Sequence, residues 1–394
     1  MAAAVRRTLL RERRDGQHAR VGFVELFFDL VFVFAITQIS HTLLEHLTPL
    51  GAAQAAMMLM AVWWGWVYTA WATNWLDPAR VPVRLLLFAL MAAGLVMSAA
   101  LPEAFDGKGL AFGCAFAALQ FGRTLFVLWA VRGERALFLN FVRISVWLGA
   151  SAVLWIAGGL ADGAVRMALW GGALLIEYAA PAAYFWLPGL GRSRTTDWNV
   201  EGGHMAERSG LFVIIALGES ILVLGATFAR LEWTTEVIAA LAAAFIGSLA
   251  MWWIYFAGAA DAASHVIERS DDPGRIARRA YTYAPLLLVA GIIVTAVGDE
   301  LSIAHPDGHM DLKTALVLLG GPALFLLGSL AFKLAVFGIW SPSRLAGIAL
   351  LAALSPFALQ FTPLGLAWAA TAVLLVVAAW ETAHLARINA AKAA

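Results

Sequence analysis

The stretch RVGFVELFFDLVFVFAI, residues 20–36, indicates the fold class because it combines a membrane-like apolar run with two carboxylates. A helix that crosses a bilayer needs about 20 such residues. Glu25 and Asp29 stand four residues apart and therefore lie on one face of the predicted helix. Ionisable groups are costly inside hydrocarbon, so both residues are candidates for a functional site. The structural alternative is a helix start, where the dipole favours carboxylates.

The composition extends this interpretation to the whole chain. Hydrophobic residues make up 62% of the 394 residues and charged residues 13%, and the mean hydropathy is +0.79. These values exclude an ordinary water-soluble globular protein. The formal net charge of +1 argues against a nucleic-acid partner. The single cysteine, Cys114, excludes an intrachain disulfide and a cysteine-based metal site. We therefore predict an all-α, polytopic integral membrane helix bundle.

Apolar runs of suitable length divide the chain into about twelve predicted transmembrane helices. The predicted spans are 22–43, 53–75, 83–101, 110–131, 137–158, 164–187, 209–229, 236–257, 281–299, 313–332, 345–362 and 365–386. With the N-terminus inside, most of the 27 Lys and Arg residues fall in inner segments, as is typical of cytoplasmic loops. The outer loops hold Lys108, Arg166, Arg230 and Lys313. Both termini are therefore predicted to be cytoplasmic.

A weak internal repeat suggests two halves of six helices each. Arg20-x-Gly22 recurs as Arg208-x-Gly210, and Trp63-Trp64 recurs as Trp252-Trp253, each about 190 residues later. Six crossings preserve orientation, so the halves would be parallel repeats with a site near the midplane. Chance matching in a chain rich in Ala and Trp is the alternative. The predicted organisation is a basic cytoplasmic N-terminus (1–21), a first half (22–187), a cytoplasmic linker (188–208), a second half (209–386) and a cytoplasmic tail (387–394).

A second stretch, HMAERSGLFVIIALGES at residues 204–220, opens the seventh predicted span and contains another carboxylate. Glu219 lies roughly 15 Å into that span at about 1.5 Å per residue. The predicted proton, cation or substrate site comprises Glu25, Asp29, Glu177 and Glu219, with Arg123 and Arg143 as counter-charges. Four acids against two arginines leave a negative surplus that favours a proton or a bound cation. Interhelical salt bridges that only fix packing are the alternative.

Three further residues, at the cytoplasmic start of the seventh span, are candidates for a gate. They are His204, Glu207 and Arg208. An aromatic stripe at helical spacing in the second span, Trp64, Tyr68 and Trp71, would line a path for a cation or an apolar molecule, with packing as the alternative. Although His204 and Glu207 share a helix face, there is no second such pair and no HExxH motif. No metal and no cofactor is predicted.

At these residues the chain resembles the bacterial low temperature requirement A family. The resemblance is carried by Glu25-Leu26-Phe27-Phe28-Asp29-Leu30-Val31-Phe32-Val33, by the run from Ala206 to Ser220, and by Trp252-Trp253-x-Tyr255-Phe256. It covers nearly the whole chain. It implies a multi-pass protein of the bacterial plasma (inner) membrane that is associated with growth in the cold, and it implies no particular biochemical activity.

We expect a secondary transporter or permease-like protein that is coupled to protons or cations through its buried carboxylates. Its partners would be the lipid bilayer and a small-molecule or cation substrate. An intramembrane enzyme acting on lipid or polyprenyl substrates is one alternative, with His204 and an acid as acid and base, although no nucleophile–base pair is recognisable. A non-transporting membrane scaffold or sensor is the other.

Overall fold

The computed structural model describes residues 9–11, 21–193, 201–257, 266 and 273–393. Most of the predicted basic N-terminus, residues 194–200 of the predicted linker and the last residue of the predicted tail lie outside this part. The described residues are mainly helical, because long apolar runs can satisfy their backbone hydrogen bonds in a bilayer only within helices or closed barrels.

Twelve long helices in the described part of the chain follow the predicted spans. They are α1 (Phe23–Glu45), α2 (Pro49–Trp75), α3 (Val81–Glu103), α4 (Gly109–Ala130), α5 (Arg135–Leu160), α6 (Gly163–Ala182), α7 (Gly202–Phe228), α8 (Thr235–Phe256), α9 (Arg275–Ala304), α10 (Leu312–Phe337), α11 (Pro342–Gln360) and α12 (Pro363–Ala393). All except α6 are long and apolar enough to cross a membrane. The prediction of a polytopic helix bundle is confirmed.

Helices α7 and α9 extend beyond their predicted ends in ways that matter for buried charges. Helix α7 begins at Gly202, seven residues before the predicted start at 209, and therefore includes Arg208. Helix α9 continues to Ala304, so that Asp299 lies within it and not at its end. A hydropathy profile stops at charged residues, whereas a helix can continue through them when the protein buries them.

The chain folds into two compact units. The first unit contains the described residues within 1–39, 53–208 and 271–275, and the second contains those within 40–52, 209–270 and 276–394. The first seven residues of α7, Gly202 to Arg208, belong to the first unit. The parallel six-helix repeat and the predicted domain boundaries stay predictions.

In the first unit, helix α4 is interrupted by a π turn at Ala118–Gly122. Before this turn α4 packs closely on α5, because a Cβ at Gly113 would lie only 2.4 Å from the carbonyl oxygen of Trp155. Turns of this type occur mostly as single turns within α-helices and frequently at functional sites. This one sets the direction of Gln120 and of Arg123, the residue that follows it.

In the second unit, glycines hold α9 and α10 in close contact. A Cβ at Gly291 would lie 2.3 Å from the backbone nitrogen of Phe325, and one at Gly321 would lie 2.4 Å from that of Thr295. Small residues allow helix backbones to approach closely in membranes, where dispersion contacts replace the hydrophobic effect as the main attraction. The α9–α10 pair is thus fixed by positions at which no larger side chain fits.

The ends of α10 are determined by local hydrogen bonding and backbone conformation. Asp311 accepts a hydrogen bond from the backbone N–H of Thr314 at 2.7 Å and caps the helix. The same N–H lowers the pKa of the Asp311 carboxyl, which is outside the membrane-spanning segment. At the other end Gly338 takes φ +66°, a left-handed conformation that glycine adopts without a Cβ penalty.

Candidate functional site

The first unit brings the N-terminal ends of α1 and α7 together around Glu25. Arg208 donates from Nη1 to Glu25 Oε1 at 3.1 Å and from Nη2 to Asp29 Oδ1 at 2.5 Å. His204 Nε2 lies 2.9 Å from Glu25 Oε1, and Arg11 donates to Glu25 Oε2 at 2.9 Å. We call Arg11, Glu25, Asp29, His204 and Arg208 the Glu25 cluster.

The backbone helps to hold Glu25 in place. The N–H of Gly22 donates to Glu25 Oε2 at 2.8 Å, so the carboxylate also binds at the start of its own helix. Glu25, Asp29, His204 and Arg208 are fully buried. A helix-start role for Glu25 and an ion-pairing role are therefore present together.

Asn74 and Glu25 contact opposite nitrogens of the His204 ring. The Asn74 amide accepts from the backbone N–H of Glu201 at 3.1 Å and donates to its carbonyl oxygen at 3.0 Å, which fixes the orientation of the amide. Its Nδ2 also lies 3.4 Å from His204 Nδ1. On the other side of the ring, Nε2 lies 2.9 Å from Glu25 Oε1, an acceptor, and 3.2 Å from Arg11 Nη2, a donor. Both ring nitrogens of His204 are therefore in contact with polar groups of the first unit.

Asp29 has fewer donors than Glu25. Besides Arg208, its Oδ1 accepts from Trp66 Nε1 at 2.8 Å, and the Arg208 guanidinium lies 5.6 Å from the centroid of the Trp66 ring. Asp29 Oδ2 and Arg208 Nε are buried and have no hydrogen-bond partner among the described residues. Buried polar atoms without partners are rare in folded proteins and call for a proton, a water or an ion. Asp29 Oδ2 is therefore the acceptor in the cluster with room for a proton.

The charges of the Glu25 cluster balance. Two carboxylates face two guanidinium groups, so with a neutral imidazole the cluster carries no net charge within the low-dielectric interior. One added proton would give it a net positive charge. Asp29 Oδ2 is the acceptor with room for this proton, so the added charge would first weaken the contact between Arg208 and Asp29.

The N-terminal segment completes the cluster through a contact that sequence analysis missed. The Arg11 backbone N–H donates to the carbonyl oxygen of Trp75, and Leu9 accepts from the N–H of Asp77, each at 2.8 Å. Arg11 Nε also donates to the carbonyl oxygen of Thr73 at 2.7 Å. Residues 9–11 thus pair with the end of α2 and direct one arginine inward. Composition alone identified Arg11 only as part of a basic terminus.

Comparison with known proteins identifies the family of this chain. The family model for the bacterial low temperature requirement A protein (LtrA) matches residues 20–379. The chain belongs to the LtrA family. This LtrA-family chain is also 43% identical over 382 residues to an uncharacterized protein of Rhizobium meliloti (strain 1021), a match that covers 96% of the chain and 92% of the relative. No solved structure matches it. The family resemblance expected from the first and seventh spans is confirmed.

Glu177 lies in a second polar cluster of the LtrA-family chain, also within the first unit. Ser151 and Trp155 donate to Glu177 Oε1, the latter at 3.0 Å, and Gln120 donates to Oε2 at 3.4 Å. Gln120 in turn accepts from Arg123 at 2.5 Å. Arg123, the predicted counter-charge, is therefore connected to Glu177 through the side-chain amide of Gln120.

The predicted aromatic stripe packs beside Arg123. The Trp64 ring stacks on Tyr178 with centroids 3.9 Å apart and lies 5.3 Å from Tyr68. Arg123 lies over the Tyr68 ring at 5.2 Å, within the range of a cation–π contact. Trp71 pairs with Trp75 at 5.9 Å, nearer the end of α2. These contacts provide packing and one cation–π partner within the first unit.

Three other predicted residues lie apart from the Glu25 cluster. Arg143 donates to the carbonyl oxygen of Leu190 at 3.0 and 2.6 Å in an exposed contact. Glu207 accepts from the backbone N–H of Val21 at 3.1 Å. Glu219 is buried in α7 within the second unit. Of the predicted gate residues, His204 and Arg208 thus join Glu25 and Asp29, with Arg208 as their shared counter-charge.

The second unit holds an ion network that sequence analysis did not single out. Glu381 Oε1 accepts from Arg344 at 2.9 Å and from Ser341 at 2.8 Å, and Ser343 donates to the same atom. Lys333 donates to Oε2 at 2.6 Å. Both carboxylate oxygens are satisfied, which is typical of a buried pair that fixes packing. Its members fall near predicted span ends, where charge is unremarkable.

The described residues contain no group of three or more His, Cys, Asp or Glu side chains that could hold a metal ion. The Glu25 cluster consists of hydrogen-bond donors and acceptors that contact one another.

Proposed function

We propose that this LtrA-family protein is a secondary transporter or permease-like protein and that the Glu25 cluster is its proton-coupling site. The observation that carries the proposal is a fully buried set of two carboxylates, one imidazole and one guanidinium group at the ends of membrane-spanning helices, with the partly buried Arg11 beside it. Ionisable residues of this kind mark proton relays and substrate pathways in membrane proteins.

The proposed proton acceptor is Asp29. Its Oδ2 has no hydrogen-bond partner among the described residues, whereas Glu25 accepts from Arg208, Arg11, His204 and the Gly22 backbone. A carboxylate with fewer donors loses less when it is protonated. The proton therefore goes to Asp29 before Glu25.

The proposed coupling step is the weakening of the α1–α7 connection in the first unit. When Asp29 is neutral, Arg208 keeps only Glu25 as an anionic partner, and Glu25 still has Arg11. The ion pair between Asp29 and Arg208 then contributes little, so the two helix ends are free to separate. Loss of the proton restores the pair and the closed arrangement. Glu219 in the second unit is a second proposed proton site.

The test is proton movement in proteoliposomes that contain the pH dye pyranine and carry an imposed pH gradient. A panel of amino acids, sugars, polyamines and organic cations is added outside. We expect at least one compound class to dissipate the gradient with wild-type protein and to fail with Asp29→Asn. Glu381→Gln is the matched control, because it disturbs a buried ion network of the second unit and should keep coupling. Proton movement that persists in Asp29→Asn would refute the assignment, as would a wild type unresponsive to the whole panel.

The same proposal includes a role in growth at low temperature and an orientation with both termini in the cytoplasm. The family name supports the first, and the Lys and Arg distribution supports the second. A deletion strain should grow normally in warm culture, grow slowly in the cold and recover with wild-type protein but not with Asp29→Asn. A fluorescent protein fused at the C-terminus should fluoresce, and an alkaline phosphatase fusion there should be inactive.

A further inference from the structure

Asp299 is a buried carboxylate that the Glu25 cluster does not use. It lies in the last third of α9, in the second unit, and is 7% exposed. No hydrogen bond or ion pair joins its side chain to another described residue, in contrast to Glu381 in the same unit. A carboxylate in an apolar interior needs a compensating charge or proton.

The Asp299 side chain lines a small cavity between α8, α9, α10 and α12. The cavity has a volume of about 10 Å³, close to the least space that holds one water molecule. Thr295 and Thr371 line it as well. It is therefore large enough for one small particle and too small for an organic substrate.

Both threonine hydroxyls already use their protons in hydrogen bonds. Thr295 Oγ1 donates to the carbonyl oxygen of Gly291 at 2.8 Å, and Thr371 Oγ1 donates to that of Ala243 at 3.1 Å. Each hydroxyl has one proton, so its remaining capacity is as an acceptor. The polar side chains of the cavity thus offer oxygen lone pairs.

A proline in α10 adds a fourth oxygen. Pro322 lies within the helix and has no backbone N–H, so the carbonyl oxygen of Leu318, four residues earlier, lacks its α-helical donor. Both Pro322 and Leu318 line the cavity. Carbonyl oxygens released from helical hydrogen bonding are used to coordinate ions in membrane proteins.

Glycine keeps the cavity open on the α8 side. Gly247 lines the cavity, and a Cβ there would lie 3.2 Å from Thr371 Oγ1. A methyl group at this position would compete with a particle bound between Asp299 and Thr371. The small residue is therefore part of the shape of the site.

We propose that this cavity is a binding site for one dehydrated monovalent cation of the size of sodium. The ligands are the carboxylate of Asp299, the hydroxyl oxygens of Thr295 and Thr371 and the carbonyl oxygen of Leu318. A single positive charge balances the single carboxylate, whereas a divalent cation would leave an excess charge in the apolar interior. Hard cations prefer such all-oxygen surroundings. The site does not depend on the Glu25 cluster, and sodium would bind there even in a protein that transports nothing.

The test compares the melting temperature of the full-length protein in detergent in NaCl, LiCl, KCl and choline chloride at equal ionic strength and fixed pH. A ligand that binds the folded state raises apparent stability by mass action. Sodium should raise the melting temperature of the wild type by on the order of 2 °C over choline at about ten times its Kd. Potassium should raise it less, since the ion is larger.

Two variants assign the effect to the cavity. Asp299→Asn should lose the sodium response, whereas the neighbouring Glu300→Gln should keep it, because Glu300 binds Thr227 at 3.0 Å and does not line the cavity. The proposal would be overturned if the melting temperature were the same in all four chlorides or depended on pH alone. It would also be overturned if sodium still raised the melting temperature of Asp299→Asn.

If Asp299→Asn does not fold, binding of radioactive sodium is measured directly on the wild type and on Gly247→Ala. Gly247→Ala keeps the carboxylate and adds a methyl group in the cavity, so it should weaken sodium binding by about tenfold or more at unchanged pH. Unchanged sodium affinity in Gly247→Ala, or no saturable sodium binding in the wild type, would contradict the proposed site. Neither result bears on proton coupling at Asp29, which is measured separately.

Discussion

Removal of Arg208 should destabilise the first unit chiefly through Asp29. In Arg208→Gln both carboxylates lose a donor, at 3.1 Å for Glu25 and 2.5 Å for Asp29. Glu25 keeps Arg11, His204 and a backbone N–H, whereas Asp29 keeps only Trp66 Nε1 among the described residues. Breaking one partner of a buried pair costs about 3–5 kcal/mol, since it leaves an uncompensated charge. We expect a loss of that order in the free energy of unfolding.

A double-mutant cycle tests this reasoning. Arg208→Gln leaves Asp29 as a buried carboxylate without its positive partner, so neutralising that carboxylate should recover stability. The double variant Arg208→Gln with Asp29→Asn should therefore lose about 1–3 kcal/mol less free energy of unfolding than the sum of the losses in the two single variants. The same cycle with Glu25→Gln should recover less, because Glu25 still has Arg11 as a partner.

The assay is reversible unfolding in mixed micelles with increasing dodecyl sulfate, followed by tryptophan fluorescence. Arg143→Gln is the control and should change the free energy by no more than about 0.5 kcal/mol, since that contact is exposed. An Arg208→Gln protein as stable as the wild type, or a larger recovery with Glu25→Gln than with Asp29→Asn, would refute the assignment of the cost to Asp29.

Three shorter predictions concern the other sites. Gly321→Ala should lower the free energy of unfolding by about 1–3 kcal/mol, because its Cβ would lie 2.4 Å from a backbone nitrogen of α9, whereas Gly320→Ala, with no atom within 4 Å, should be neutral in the same unfolding assay. Asp311→Ala should lose about 0.5–1 kcal/mol of helix capping near pH 7. The Thr314 N–H lowers the pKa of Asp311, so this stabilisation is present above the unfolded-state pKa and disappears as pH falls through the folded-state pKa. The melting curves of variant and wild type should therefore converge in acid. A difference that stays constant with pH would contradict the capping role. Glu219→Gln should abolish coupled proton movement in proteoliposomes with little change in melting temperature, and retained coupling would remove Glu219 from the proposed sites.

The fold was predictable from sequence because the property that determines it is local. Each apolar run of about 20 residues becomes a helix across the membrane whatever its neighbours are. The carboxylates Glu25 and Asp29 were recognisable for the same reason, since an acid within such a run is unusual by itself.

The partners of these acids were less predictable because they depend on tertiary contacts. His204 and Arg208 lie about 180 residues from Glu25 along the chain, and a hydropathy profile begins their helix after them. Asp299 was missed because the predicted span ended at that residue, and an acid at a span end has an ordinary explanation in solvent. Arg11 reaches Glu25 from outside the helices, and no periodicity in the sequence indicates that contact.

The π turn of α4 makes the length of that helix a determinant of which residues face each other. Each residue advances an α-helix by about 100° and a π turn by less, so the same five residues, Ala118–Gly122, wound as regular α-helix would rotate everything after them by roughly that angle. Arg123 would then turn away from the Gly65 carbonyl oxygen and the Thr69 hydroxyl that it now binds at 3.2 and 3.1 Å. Deletion of one residue from the turn compensates for this rotation, so in relatives of this chain a one-residue gap here should leave the arginine and Glu177 in place, an outcome that a sequence alignment would detect without any further structure.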